Sequence, residues 1–212
     1  MTKKGKPAPL VKDVFAFLGV DRRDCPRQLI DRFVGNDLLI VGSGRCVWDD
    51  TRGLPETSNV MVVNDMGMYW PGCIKHWYSN DIDQLIHWNI GRRRPLYRWY
   101  PGGGSLHSCT KRDGKDYQEV YHWPFPGQGG SGIPAIMVAI ALGYSPITLA
   151  GMPFDNSGHF YDPPNSHTLS RGHLWSDFIS ETPDSLLVKA LPLFKGRVRA
   201  LSGRLRDMLE NG

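Results

Sequence analysis

The stretch "DLLIVGSG", residues 37–44, decides the fold. Leu38 to Val41 are apolar without alternation, and Gly42-Ser43-Gly44 closes the run. A half-buried strand alternates apolar and polar residues, whereas a strand covered on both faces reads as a short continuous apolar run. Four more segments read as strands: "NVMVVND" (59–65), "CIKHWYSND" (73–81), "YQEVYHW" (117–123) and "ITLAGMPFD" (147–155). Helical patterns fall between them. "DIDQLIHWNI" (81–90) follows the third run, and "SGIPAIMVAIALGY" (131–144) precedes the last, with Pro134 in its first turn. Strands alternating with helices predict an α/β fold: one Rossmann-like domain with a mainly parallel sheet flanked by helices.

Outside this repeat, "LVKDVFAFLG" (10–19) reads as a helix ended by Gly19, and "RQLIDRFV" (27–34) as a second short amphipathic helix. Residues 91–116, with Arg92-Arg93-Arg94 and Gly102-Gly103-Gly104, read as a surface excursion or lid. Near the C-terminus, "HLWSDFI" and "GRLRDMLEN" look helical and "GRVRALS" reads as a late strand. Residues 1–9 are basic and Pro-containing, which predicts a disordered tail before a domain over 10–212.

Composition sets outer limits. Of 212 residues, 41% are hydrophobic and 22% charged, as in ordinary globular proteins. The net charge of +4 is too mild to single out nucleic acid as a partner. The longest apolar run, "IPAIMVAIALGY", is about half of a membrane span, so none is expected. Cys25, Cys46, Cys73 and Cys109 form no C-x-x-C pair, which predicts reduced, mostly buried thiols in a cytoplasmic protein.

Three glycine-bearing ends carry the candidate chemistry. Gly42-Ser43-Gly44 lies where ligands of parallel sheets bind, and glycines let backbone N–H groups approach a phosphate. The same triplet also serves as a tight corner. Ser131 and Gly132 open a helix, which makes an anion site or a simple N-cap. Gly151 and Asp155 end the last apolar strand, where Asp155 would accept from a sugar or base hydroxyl or cap a loop. His159, His167 and His173 lie in the polar "GHFYDPPNSHTLSRGH", and one of them would suit a general base. A metal group of His159, Asp162, His167 and His173 matches no familiar spacing. Asp81 and Asp83 form D-x-D, read as carboxylates meeting a helix dipole. His76, His87 and His122 read as structural. Arg92 to Arg94 with Tyr97, Arg98, Trp99 and Tyr100 read as a solvated loop.

"LLIVGSGRCV" followed by "GSGIPAIMVAIALGYSPITLAGMPFD" resembles the bacterial lipooligosaccharide sialyltransferases of Rossmann-like type. It also resembles the wider superfamily with 6-hydroxymethylpterin diphosphokinase-like proteins, and phage and prophage proteins. The matching pattern is an apolar strand with G-x-G-P-S, then S-G, a helix ending A-L-G-Y, a strand and G-x-D. The resemblance implies nucleotide contacts at Gly42, Ser43, Gly44, Asn64, Ser79 or Asn80, Ser131, Gly132, Gly151, Asp155 and Tyr161. It implies a His base, best matched by His167, with His173 as the second choice, and no essential metal or other cofactor beyond a nucleotide-activated, CMP-linked donor. Arg45-Cys46 replaces the pattern's Pro-Ser, and "GMPFD" is one residue longer than G-x-D. The expected function is a nucleotide-sugar-dependent glycosyltransferase with a hydroxyl acceptor. The alternatives are an ATP-dependent diphosphokinase-like enzyme and a non-catalytic phage nucleotide-binding or interaction protein. Nucleic acid is not an expected partner, and a homo-oligomer is left open.

Overall fold

A computed structural model describes residues 13–93, 103–110, 119–127, 130–155, 157–163 and 185–211. Seven strands form one sheet: β1 (Leu38–Val41), β2 (Val60–Val63), β3 (Ile74–Tyr78), β4 (Gly103–Ser108), β5 (Val120–His122), β6 (Ile147–Ala150) and β7 (Val198–Ala200). Their spatial order is β5-β4-β3-β2-β1-β6-β7, and every neighbouring pair is parallel. The chain walks outward from β1 to β5 and then returns to lay β6 against the other side of β1. That reversal is the crevice where parallel sheets bind ligands, beyond the carboxyl ends of the strands.

The apolar runs are continuous because both faces are covered. Leu38 and Ile40 enter one core with the helix α5 (Gly132–Ala141), while Leu39 and Val41 enter the other with Val47 and Met66. Every residue of α5 is buried, so it lies inside the protein rather than upon it. Its Ile133, Ile136, Met137, Val138 and Ile140 side chains each contribute about 1.5–3 kcal/mol on leaving water. The other α-helices among the described residues are α1 (Val14–Leu18), α2 (Val47–Thr51), α3 (Met66–Tyr69), α4 (Ile82–Arg92), α6 (Leu186–Phe194) and α7 (Gly203–Asn211). Among the described residues no helix is long and apolar enough to cross a membrane.

Several expectations require correction. Residues 27–34 are turns, not a helix. Asp31 sits at φ 55°, and the N–H groups of Asp31 and Phe33 donate to Ala141 and Leu142 O at 3.0 and 2.9 Å. The segment thereby satisfies carbonyls at the end of buried α5, which no water reaches. The surface excursion placed at 91–116 contains strand β4, paired to β3 with Ile74 opposite Gly103. A Cβ on Gly104 would lie 2.0 Å from Lys75 O, so this glycine admits a neighbouring strand. Arg92 is 1% exposed rather than solvated, and its guanidinium donates to the carbonyls of Gly67, Trp70 and Gly72. Helix α6, with Pro192 inside it, was not expected. Cys73 is exposed, unlike the other three thiols. Residues 1–9, Tyr97 to Tyr100 and "HLWSDFI" lie outside the described residues.

Candidate functional site

A cleft opens at the reversal point, with about 530 Å³ of empty space counting what is open to solvent. The turn after β1 (Gly42, Ser43, Gly44), the end of β2 (Val63, Asn64), the start of α5 (Gly132) and the turn after β6 (Gly151 to Asp155) line it, with Gly158 and His159. The lining combines apolar Val63, Met152, Pro153 and Phe154 with polar Ser43, Asn64, Asp155 and His159. Asn64 at φ 54° and Phe154 at φ 53° are two of only three non-glycine residues with positive φ among the described residues. Such backbone strain persists only where the surroundings hold it, and it gathers at functional sites.

The glycine turn itself is a corner. Gly42 N–H donates to Ala150 O (2.9 Å), Gly44 N–H to Gly151 O (2.8 Å), Arg45 N–H to Gly158 O (3.0 Å) and Val47 N–H to Gly44 O (2.9 Å). Those donors are engaged by protein carbonyls and do not form a phosphate cradle. A Cβ on Gly42 or Gly44 would come within 2.7 Å of Gly151 O, so the glycines let the β1 and β6 turns touch. The start of α5 reaches the cleft through Gly132 and carries the positive end of the helix dipole. No side chain caps it, because Ser131 Oγ accepts from Asn80 N at 3.1 Å instead.

A hydrogen-bonded group lies beside the cleft. Ser43 Oγ is 3.1 Å from Asp65 Oδ1 and 2.8 Å from His159 Nδ1, and Tyr161 OH donates to Asp65 Oδ2. A carboxylate only accepts, so the Ser43 proton points at Asp65. Ser43 oxygen then accepts from His159 Nδ1–H, which leaves Nε2 outside this chain of bonds. Burial, and then the bond to Asp65, raises the Tyr161 pKa.

Arg45 holds this group in place. Its Nε donates to Ser157 O (2.9 Å) and its NH2 to Pro163 O (3.0 Å), while Gly44 and His159 form an antiparallel bridge. Cys46 packs beside Ser202 Oγ at 3.0 Å, and burial pushes its thiol up to about 11. The pair that departs from Pro-Ser therefore clamps the 157–163 segment and the end of β7.

Of the residues singled out in the sequence, the structure brings Gly42, Ser43, Gly44, Asn64, Gly132, Gly151 and Asp155 to one cleft. Asp155 also accepts from Ser157 N at 2.8 Å, as a loop-capping carboxylate does. Ser79 is fully buried, with its hydroxyl donating to Asn64 Oδ1 at 2.9 Å. Asn80 is spent on Gly127 O and Gly130 O. These two and Ser131 support the cleft without lining it. Tyr161 stands at its edge. His167 and His173 lie outside the described residues. Asp81 caps α4 by accepting from Gln84 N, in line with the helix-dipole reading of D-x-D. Among the described residues no three His, Cys, Asp or Glu side chains gather as metal ligands. Asp65 was missed: it follows Asn64 directly at the end of β2, and only the fold shows that it faces Ser43.

No protein-family model matches the chain, and no curated protein does. Among solved structures the chain is similar to the sialyltransferase CstII from Campylobacter jejuni in complex with a substrate analogue, cytidine-5'-monophosphate. The identity is 15% over 80% of this chain and 81% of that one, with a TM-score of 0.49. At that level it is a likeness in the course of the chain, and it assigns no residue a role.

Proposed function

We propose that the protein is a glycosyltransferase-like enzyme that holds a nucleotide-activated sugar, a CMP-linked donor, in the β1/β6 cleft and transfers the sugar to a hydroxyl acceptor. The observation that supports this is the meeting of the β1 turn, the β6 turn and the α5 start at the point where strand order reverses. The apolar wall of Val63, Met152 and Phe154 suits a base or ribose face. Donor phosphate goes to the uncapped α5 start, because the glycine-turn donors are already bonded.

In the proposed step the acceptor oxygen bonds to the anomeric carbon, the bond from that carbon to phosphate oxygen breaks, and nucleoside monophosphate leaves with the electron pair. A histidine takes the acceptor proton. His159 lines the cleft, and it, His167 and His173 are the three candidates named from the sequence. Single substitutions to Asn separate the three by the transfer rate.

Thermal unfolding with CMP, UDP, GDP and ATP, each with and without Mg²⁺, tests the reading. A ligand held by the folded state at a hundredfold its Kd adds about 2.7 kcal/mol, so CMP raises the midpoint. A shift with ATP and Mg²⁺ alone replaces this reading by the diphosphokinase one. No shift with any nucleotide at millimolar concentration ends it.

A further inference from the structure

Six aromatic rings form an unbroken strip leading away from the cleft. His159 stacks on Tyr161 (centroids 5.1 Å, planes 15° apart), and Tyr161 meets Tyr69 at 5.4 Å. Tyr69 stands edge-on to Phe160 at 5.2 Å, Phe160 edge-on to Trp48 at 5.3 Å, and Trp48 lies parallel to Trp70 at 6.5 Å. Three chain segments supply these rings: α2, the end of α3, and residues 159–161. None of the strip except His159 and Tyr161 was singled out in the sequence.

The strip is built and open. Trp48, Tyr69 and Tyr161 are 39%, 46% and 43% exposed, and they stand among the five large hydrophobic side chains exposed in the described residues. Rings this large are ordinarily turned inward, and a contiguous exposed group of them marks a binding surface. Its backbone is fixed from beneath. Phe160 N–H donates to Ser43 O at 3.0 Å, and Arg92 holds the Trp70 carbonyl at 2.9 Å.

We propose that this strip binds the pyranose rings of a neutral saccharide and guides its hydroxyl into the cleft. An exposed ring can take two flat partners, a nucleobase or the C–H face of a sugar. Single-stranded nucleic acid needs a positive groove beside its stacking rings. On or next to the strip's segments lie four carboxylates instead, Asp49 and Asp50 in α2, Asp65 just before α3 and Asp162 just after Tyr161. Against these stand three guanidiniums among the described residues: Arg52, ion-paired to Asp49 at 2.9 Å, Arg45, on the carbonyls of Ser157 and Pro163, and Arg92, buried beneath Trp70. This charge balance disfavours a polyanion and tolerates an uncharged chain of hydroxyls. Naming the saccharide the acceptor rests on the glycosyl-transfer reading above, whereas its binding to the strip does not.

Isothermal titration with chitohexaose, maltohexaose, lacto-N-tetraose and poly(dT) tests the inference. At least one saccharide binds the wild-type protein. Trp48→Ala weakens it about tenfold, the ~1.4 kcal/mol expected for losing a stacked ring, while Trp48→Phe retains most of the affinity. Tyr69→Ala serves as the second variant if Trp48→Ala lowers the fraction folded. No saccharide bound at millimolar concentration, affinity unchanged in both alanine variants, or tight binding of poly(dT) instead would each overturn it. The CMP-induced shift in midpoint is read in parallel. Saccharide binding without that shift supports the strip and removes the CMP-donor reading. A CMP shift without saccharide binding overturns the strip alone.

Discussion

Two polar groups of similar composition sit at different depths in this protein. In the core, Trp123 Nε1 donates to His107 Nδ1 at 3.1 Å, which leaves His107 Nε2–H to donate to His76 Nδ1 at 3.0 Å. His76 Nε2–H then donates to Tyr144 OH at 2.9 Å. At the cleft, His159, Ser43, Asp65 and Tyr161 form the other group. The core chain is neutral and spends both nitrogens of each ring. Burial holds His76 down to about 3 and His107 well below the usual histidine range. The cleft group contains a carboxylate, ends on the ring of a cleft-lining His159, and leaves Nε2 outside the chain of bonds. A closed neutral network specifies packing, whereas one that includes a carboxylate and ends at a cavity keeps polar groups within reach of a ligand.

His107→Ala breaks the comparison most strongly. It removes a buried ring and strands the Trp123 N–H, so the expected loss is roughly 3–4 kcal/mol in urea unfolding. His159→Ala should cost less than about 1 kcal/mol, because its ring lines the cleft rather than the core. If the two losses are equal, the distinction fails.

Acid is the second lever. His76 and His107 stay neutral when folded but bind protons near pH 6.5 when unfolded, so the unfolded state takes up more protons below that pH. Their contribution is complete above about pH 6.5. It is lost as pH falls towards 3, the folded value of His76, at up to about 1.4 kcal/mol per pH unit for each ring. Urea midpoints between pH 7 and pH 4 check this, and His76→Gln should flatten the slope. An unchanged slope in that variant contradicts the assignment.

Smaller effects sharpen the cleft side. Gly44→Ala forces a Cβ 2.5 Å from Pro153 Cδ and 2.7 Å from Gly151 O, for a loss of roughly 1–3 kcal/mol in the same assay. A phosphate-cradle role would predict lost nucleotide affinity with stability intact. Ser43→Ala removes the link between His159 and Asp65 for about 1 kcal/mol. Long-range ¹H–¹⁵N NMR should then show His159 losing its preference for the Nδ1–H tautomer, and an unchanged tautomer would show that Ser43 does not set it.

Much of the fold was legible because buried parallel strands are written as unbroken apolar runs. Leu38–Val41, Val60–Val63 and Ile147–Ala150 fall inside the expected segments. Strand β4 was not legible, since "GGSLHS" lacks that signature and its glycines serve close approach to β3. The turns at 27–34 read as a helix because their apolar spacing is helical, yet they answer to the carbonyls of α5. At the cleft, Gly42, Ser43, Gly44, Gly151 and Asp155 could be named from strand ends and Gly132 from a helix start, while Asn64 came only from the family resemblance. Asp65 and the aromatic strip could not, because Trp48, Tyr69 and Phe160 meet only after three separated segments converge.

The central claim is that the β1/β6 reversal is the nucleotide site. Hydrogen exchange with and without saturating CMP, read by peptide, tests it most directly. The account predicts added protection at residues 42–46, 131–134 and 150–160, with none in β4 and β5. Protection confined to other segments, or none at all under saturating CMP, would contradict it.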